Sequence, residues 1–172
     1  MHSYFDQDAL IGYISLRGTN ISDVVIQGND NSFYLNHSLW GTSDAEGTIF
    51  LDASANLSQN HLVFYGNVAA SGRRFADLAT LTEQGDFDRA SEIRFTTGTG
   101  DYRWEPFAFY VIDNSQINTS ATLTQDAIDQ MVALSMHYSP VTVDTTDRVI
   151  TLIAETAPGS GTSFVLHGRQ FN

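Results

Sequence analysis

The stretch Ile11-Gly12-Tyr13-Ile14-Ser15-Leu16-Arg17-Gly18-Thr19-Asn20-Ile21 contains a short β-type run, Tyr13–Leu16, and it is the first of a series. Seven further runs follow: Asp23–Gln27, Thr48–Leu51, His61–Tyr65, Ile93–Thr97, Trp104–Ile112, Val149–Ile153 and Ser163–Gly168. Turn formers punctuate them, as in Gly28-Asn29-Asp30-Asn31, Gly98-Thr99-Gly100-Asp101 and Pro158-Gly159-Ser160-Gly161. Helical patterning is sparse. Thr124–Ser135 carries apolar residues at Ile128, Met131, Val132 and Leu134, with Thr124 placed to cap its start. Phe75–Thr82 has room for one or two helical turns. Eight short strands and so little helix predict a mostly β fold, a closed eight-stranded β-barrel with one or two short helices. Closure also removes the exposed edges that isolated sheets must protect.

Composition bounds what such a barrel does. The 172 residues suit one domain, 1–172, and a 42% hydrophobic content supplies its core. Residues 1–10 read as a truncated helix or an appended remnant. The formal net charge is −12, from 8 basic and 20 acidic residues. That field repels phosphate backbones and anionic lipid, so neither nucleic acid nor membrane contact by this domain is expected. No apolar run approaches the roughly 20 residues that span a bilayer, although an N-terminal anchor trimmed from this chain is compatible with the sequence. There is no cysteine, which rules out disulfides, thiolate metal sites and thiolate nucleophiles. Asn29, Asp30 and Asn31 are calcium-ligand types without calcium-loop spacing, and read as turn formers. No metal and no cofactor is expected.

The order of the motifs resembles class B sortases. Residues 11–21 are similar to that family's G-W-I-x-I-x-G-T-x-I strand. Val24-Val25-Ile26-Gln27 followed by Asp30-Asn31-Ser32-Phe33-Tyr34-Leu35 resembles V-V-Q … D-N-x-x-Y-L. Gly47-Thr48-Ile49-Phe50-Leu51-Asp52 resembles G-x-I-F-x-D, and Asn60–Asn67 resembles N-x-x-I-Y-G-H. Gly72–Leu78 is similar to G-x-M-F-x-x-L, Asp147–Leu152 to the strand ending T-L-x-T-C, and Phe164–Gly168 to the closing R-L-V-V-H-A strand. The likeness runs from about residue 8 to residue 169.

The resemblance implies a sortase-type barrel and a reaction: a Cys thiolate attacks the carbonyl of a sorting signal, a His serves as acid and base, and an Arg stabilises the oxyanion. It also implies where those groups should lie, and this chain has none of them there. Asn67 occupies the His position. Glu155 occupies the Cys position, with Ala154 or Thr156 under a one-residue slip. Ser163 occupies the Arg position, with Thr162 under the same slip. Asn67 exchanges no proton near neutral pH. Glu155 is a weak nucleophile toward an amide, and its charge opposes a developing oxyanion. Ser163 offers a neutral hydroxyl in place of a fixed cation. Removing a whole catalytic triad costs about 10⁶ in rate in a serine protease, so no active catalytic residue is expected.

Two readings follow. In one, the chain is a catalytically inactive sortase-like protein at the extracellular face of a bacterial cell envelope, binding an extended peptide through Asn67, Glu155, Thr156 and Ser163, or assisting a surface protein or pilin. In the other, it is a sortase-fold transpeptidase or hydrolase with altered chemistry built on Glu155 or Thr156. His167 lies four residues past Ser163, roughly 13 Å along a strand, and His61 opens the strand leading to Asn67. Both read as core or rim histidines and not as a replacement base.

Overall fold

The computed structural model describes residues 10–171. Each of the eight runs becomes a strand: β1 (Leu10–Leu16), β2 (Ser22–Ile26), β3 (Ile49–Leu51), β4 (His61–Tyr65), β5 (Ile93–Thr96), β6 (Asp101–Asp113), β7 (Val149–Glu155) and β8 (Thr162–Phe171). They close into a mixed barrel in the order β1-β2-β3-β4-β7-β8-β6-β5. β2 with β3 and β4 with β7 pair parallel, and the remaining neighbours pair antiparallel. The expectation for residues 1–10 falls, apart from Leu10, outside the described residues.

Successive side chains of a strand point to opposite faces, and here both faces are used. Inward residues such as Ile14, Leu51, Phe64, Phe95, Leu152 and Leu166 fill the barrel. Outward residues of β6, β7 and β8 are covered by a helix, α2 (Gln125–Leu134), whose Ile128 and Met131 pack on Phe107, Tyr110, Val149 and Val165. Thr124 caps that helix, its hydroxyl accepting from the Ala127 N–H at 3.2 Å. A third cluster, Ile26, Tyr34 and Phe50, sits under the long β2–β3 connection. Gly47 in that connection has φ +64°, and a Cβ there would lie 2.4 Å from the Tyr34 carbonyl oxygen, so only glycine fits.

Local details that the sequence left open have physical causes. A short helix, α1 (Gln84–Arg89), was not anticipated. Phe87 alone among its six residues is buried, so it has no apolar period, and Gly85 lowers its propensity. The turn at 76–82 is a 3-10 helix, tightened by Thr80 Oγ1 donating to the Asp77 carbonyl at 2.7 Å. Strand β6 also extends beyond its apolar run to Asp101, because Arg94 on β5 forms an ion pair with Asp101 across the ladder.

Beneath α2 runs a buried polar chain. His61, Thr151 and His167 are at most 1% exposed. His61 Nδ1 faces the Ser120 carbonyl, which only accepts, so Nδ1 carries the proton. His61 Nε2 then accepts from Thr151 Oγ1 at 2.7 Å. Thr151 Oγ1 accepts from His167 Nδ1 at 2.7 Å, and His167 Nε2 accepts from the Tyr110 hydroxyl at 2.6 Å. Every polar atom in the chain is satisfied with both rings neutral, which is what makes its burial tolerable. Both histidines are accordingly held down: His167 is pushed to about 3 by burial and then by the neighbouring His61. His61 is lowered by burial, against the opposing pull of the Ser120 carbonyl and Asp52.

An unfolded histidine takes a proton near pH 6.5, and the folded ones refuse it. The stability this provides is complete above about pH 6.5 and is lost as pH falls toward the folded values. His167 alone should cost about 2 kcal/mol of unfolding free energy between pH 6.5 and pH 5. Urea titrations at those two pH values test this, since the lowered carboxylates Asp101, Asp113 and Asp144 titrate below that window. Equal stability at both would contradict the neutral chain.

Candidate functional site

The register of β4, β7 and β8 builds the site. Tyr65 pairs with Ile153, Ile153 pairs with Val165, and Glu155 pairs with Ser163. Asn67 lies two residues past Tyr65, where Gly66 N–H still bonds the Ile153 carbonyl at 3.1 Å. Asn67, Glu155 and Ser163 thus end three adjacent strands on one face, with Glu155 in the middle. All three line a cavity of about 880 Å³, within the range of ligand sites. Its floor is Tyr65, Gly66 and Ile153. One wall is the β2–β3 connection, through Leu35, Asn36 and Glu46, and the other is formed by Asn114, Ile117 and Thr119 after β6. A second cavity beside His61 is only about 10 Å³, no more than one water.

The remaining sequence candidates lie elsewhere. Ala154 faces the barrel interior. Thr156 and Thr162 are not among the residues lining the large cavity. Thr156 Oγ1 lies 2.9 Å from both Ser160 Oγ and Thr162 Oγ1, and among the described residues it shares no hydrogen bond with a base. A Thr nucleophile needs one. His61 and His167 are two or more rows away from Glu155, committed to the chain under α2.

Each member of the row has a definite bonding state. Asn67 Nδ2 donates to the Leu35 carbonyl at 2.6 Å and to the Glu46 carbonyl at 3.1 Å. It is a brace across the groove wall and not a proton carrier. Arg73 and Arg74 grip the same wall: Arg73 pairs with the Glu46 carboxylate at 3.0 Å, and Arg74 Nε donates to the Gly47 carbonyl at 2.8 Å. Arg74 Nη1 also reaches Asp23 at 2.6 Å. A hydrogen bond from Ser71, together with Arg73, holds the Glu46 carboxyl below its ordinary range. Ser163 is 2% exposed, and its hydroxyl donates to Asn114 Oδ1 at 2.6 Å. Asn114 Nδ2 in turn approaches Glu155 Oε2 at 3.5 Å, and Gly161 N–H approaches Oε1 at 3.4 Å. On the floor, burial and then Asp52 push the Tyr65 hydroxyl up to about 12, so it stays neutral.

Sequence reasoning missed Asn114 and the Arg73–Arg74 grip. Asn114 follows Asp113, whose carboxylate accepts from the Ser115 N–H and hydroxyl, so locally it reads as a turn. The unanticipated cue at Arg74 is its positive φ of 60°, which no residue pattern announces. Asp30 behaves as a turn former, its carboxylate accepting the Ser32 and Phe33 N–H groups at 2.9 and 2.8 Å and staying ionised below the usual range for that reason. Among the described residues no group of three or more His, Cys, Asp or Glu could hold a metal.

In both sequence and fold the chain is class B sortase-like. In sequence it is 29% identical over 150 residues to Sortase B of Staphylococcus aureus, an alignment covering 83% of this chain and 62% of that relative. The chain therefore spans about three-fifths of the length of that curated relative. In structure it matches Sortase B of Clostridium perfringens with a TM-score of 0.88 at 22% identity, covering 96% of this chain and 95% of the other. A Staphylococcus aureus sortase B–substrate complex matches with a TM-score of 0.87 at 21% identity, over 99% and 87% of the two chains. No family model matches the chain.

If Asn67 is a brace, replacing it should loosen the wall without touching the core. Asn67→Ala is expected to cost about 1–3 kcal/mol in chemical denaturation, from two carbonyls losing their donor. Amide exchange should accelerate across 35–47 and stay unchanged under α2. Uniform acceleration, or none, would contradict a local brace.

Proposed function

We propose that residues 10–171 form one sortase-like domain that has lost the transpeptidase reaction and keeps its groove as a binding site for an extended, sorting-signal-like peptide. Its place is the outer face of a bacterial cell envelope, where such binding would assist the assembly of surface proteins or pilins. The observation that carries this reading is the row Asn67–Glu155–Ser163 on the floor and rim of one ligand-sized cavity. The row stands where the resemblance places His, Cys and Arg, and it contains no thiolate, no imidazole and no cation.

The likeness to a sortase solved with its substrate supports a peptide as the occupant, and the lining suits one. Apolar side chains (Leu35, Val68, Ile117, Ile153, Pro158) alternate with amides (Asn31, Asn36, Asn114) able to bond a peptide backbone. The reading with altered chemistry is weaker. Thr156 has only hydroxyl partners, and no His, Lys or Arg lines the cavity to work with Glu155.

The test pairs chemistry with binding. The purified protein, given a fluorogenic sorting-signal peptide and an amine acceptor, should form no product above the enzyme-free rate. The same peptide should shift the amide resonances of Gly66, Asn67 and Ser163. Turnover that disappears in Glu155→Gln or Thr156→Ala would replace this proposal with the altered-chemistry enzyme. Absence of both turnover and shifts would remove the groove as a peptide site.

A further inference from the structure

Glu155 is the one charged member of the row, and it has unused bonding capacity. An ionised carboxylate offers about four acceptor positions. Here the two contacts supplied by the chain, from Gly161 N–H and Asn114 Nδ2, are 3.4 and 3.5 Å long, at the outer limit of a hydrogen bond. The Ser163 hydroxyl is spent on Asn114 Oδ1. The other carboxylate on the lining, Glu46, already has Arg73. No basic side chain lines the cavity, and all 8 basic residues of the sequence are arginines, with no lysine anywhere.

A carboxylate facing a cavity with no cation on its lining is free to take a charged partner from a ligand. On the adjacent strand, Asn67 uses its amide nitrogen on the wall, while its Oδ1 takes no hydrogen bond among the described residues. A carboxylate and an amide oxygen at neighbouring strand ends that line one cavity offer acceptors for N–H groups. The net charge of −12 adds a field that draws cations toward the protein.

We infer that Glu155 is a specificity-determining residue: it receives the ammonium or guanidinium of a basic side chain carried by an extended peptide, with Asn67 Oδ1 as the second acceptor. This rests on the groove being a peptide site, and it adds the chemistry of the residue that must sit over β7. A charge-assisted bond to Glu155 is shorter and stronger than its present contacts. Asn114 and Ser163 act as positioning residues, fixing the carboxylate from the β8 side.

The experiment titrates the full chain, ¹⁵N-labelled, with two pools of blocked hexapeptides that share an Ala/Ser/Thr background. One pool carries a single lysine at varied positions and the other carries N-acetyl-lysine at the same positions. At low ionic strength the lysine pool should bind at least tenfold more tightly, with the largest shifts at Asn67, Asn114, Gly161 and Ser163. The preference should shrink as salt rises in the wild-type protein and vanish in Glu155→Gln, an isosteric change at a half-exposed site. Equal binding of both pools, or a lysine preference that survives in Glu155→Gln, would overturn this inference and leave the peptide groove standing. Failure of both pools to shift the groove amides would overturn the groove reading and this inference with it.

Discussion

β7 lies between β4 and β8, and Val149 through Ala154 are buried without interruption. Ile150, Leu152 and Ala154 fill the barrel, while Val149 packs under α2 and Thr151 joins the buried polar chain. A strand buried on both faces cannot slip by one residue, because every side chain would exchange environments. That constraint fixes the register with β4 on one side and β8 on the other. It therefore also fixes which residues emerge together where the strands end. The groove is the continuation of a packed sheet beyond the point where packing stops.

The same face of these strands handles polarity in two ways. Under α2, two histidines, a threonine and a tyrosine are closed into a chain with one consistent set of donors and acceptors. Thr151 accepts from His167 Nδ1 and donates to His61 Nε2, and that donation is possible only while His61 carries no second proton, just as Tyr110 can donate to His167 only while His167 is neutral. Four residues further along β7 and four residues back along β8, at Glu155 and Ser163, the surface opens and polar groups are bonded to loops instead: Asn67 to the β2–β3 connection and Ser163 to Asn114. The loops are held as firmly as the site residues. Arg73, Arg74 and Asn67 converge on residues 46 and 47, so the wall is a braced element and not a free flap.

The strands were legible in the sequence because each buries a face and so carries an apolar signal. α2 was legible because Thr124 caps a stripe containing Ile128 and Met131. α1 was not, since Phe87 alone is buried, and neither was the charged start of β6, whose pairing rests on Arg94 and Asp101. For the site, the positions Asn67, Glu155 and Ser163 came from motif order, and the structure brings those three to one cavity while leaving Ala154, Thr156 and Thr162 off its lining. Their bonding was invisible beforehand. Whether Asn67 faces a substrate or braces a wall depends on Leu35 and Glu46, 32 and 21 residues away in the chain, and no local pattern encodes that.

A site that had merely decayed would be expected to hold polar groups with nothing to bond. That is not the pattern here. Asn67 donates twice, Ser163 donates to Asn114, and Asn114 turns its nitrogen to Glu155. Unused acceptor capacity remains on the Glu155 carboxylate and the Asn67 amide oxygen, which belong to residues lining one cavity of about 880 Å³. A carboxylate open to a cavity and held only by two long contacts keeps acceptor positions available to a ligand. The row holds no thiolate, no imidazole and no guanidinium, the three groups that the resemblance implies there. A carboxylate in that row presents hydrogen-bond acceptors and a negative charge to the cavity where the resemblance implies a nucleophile.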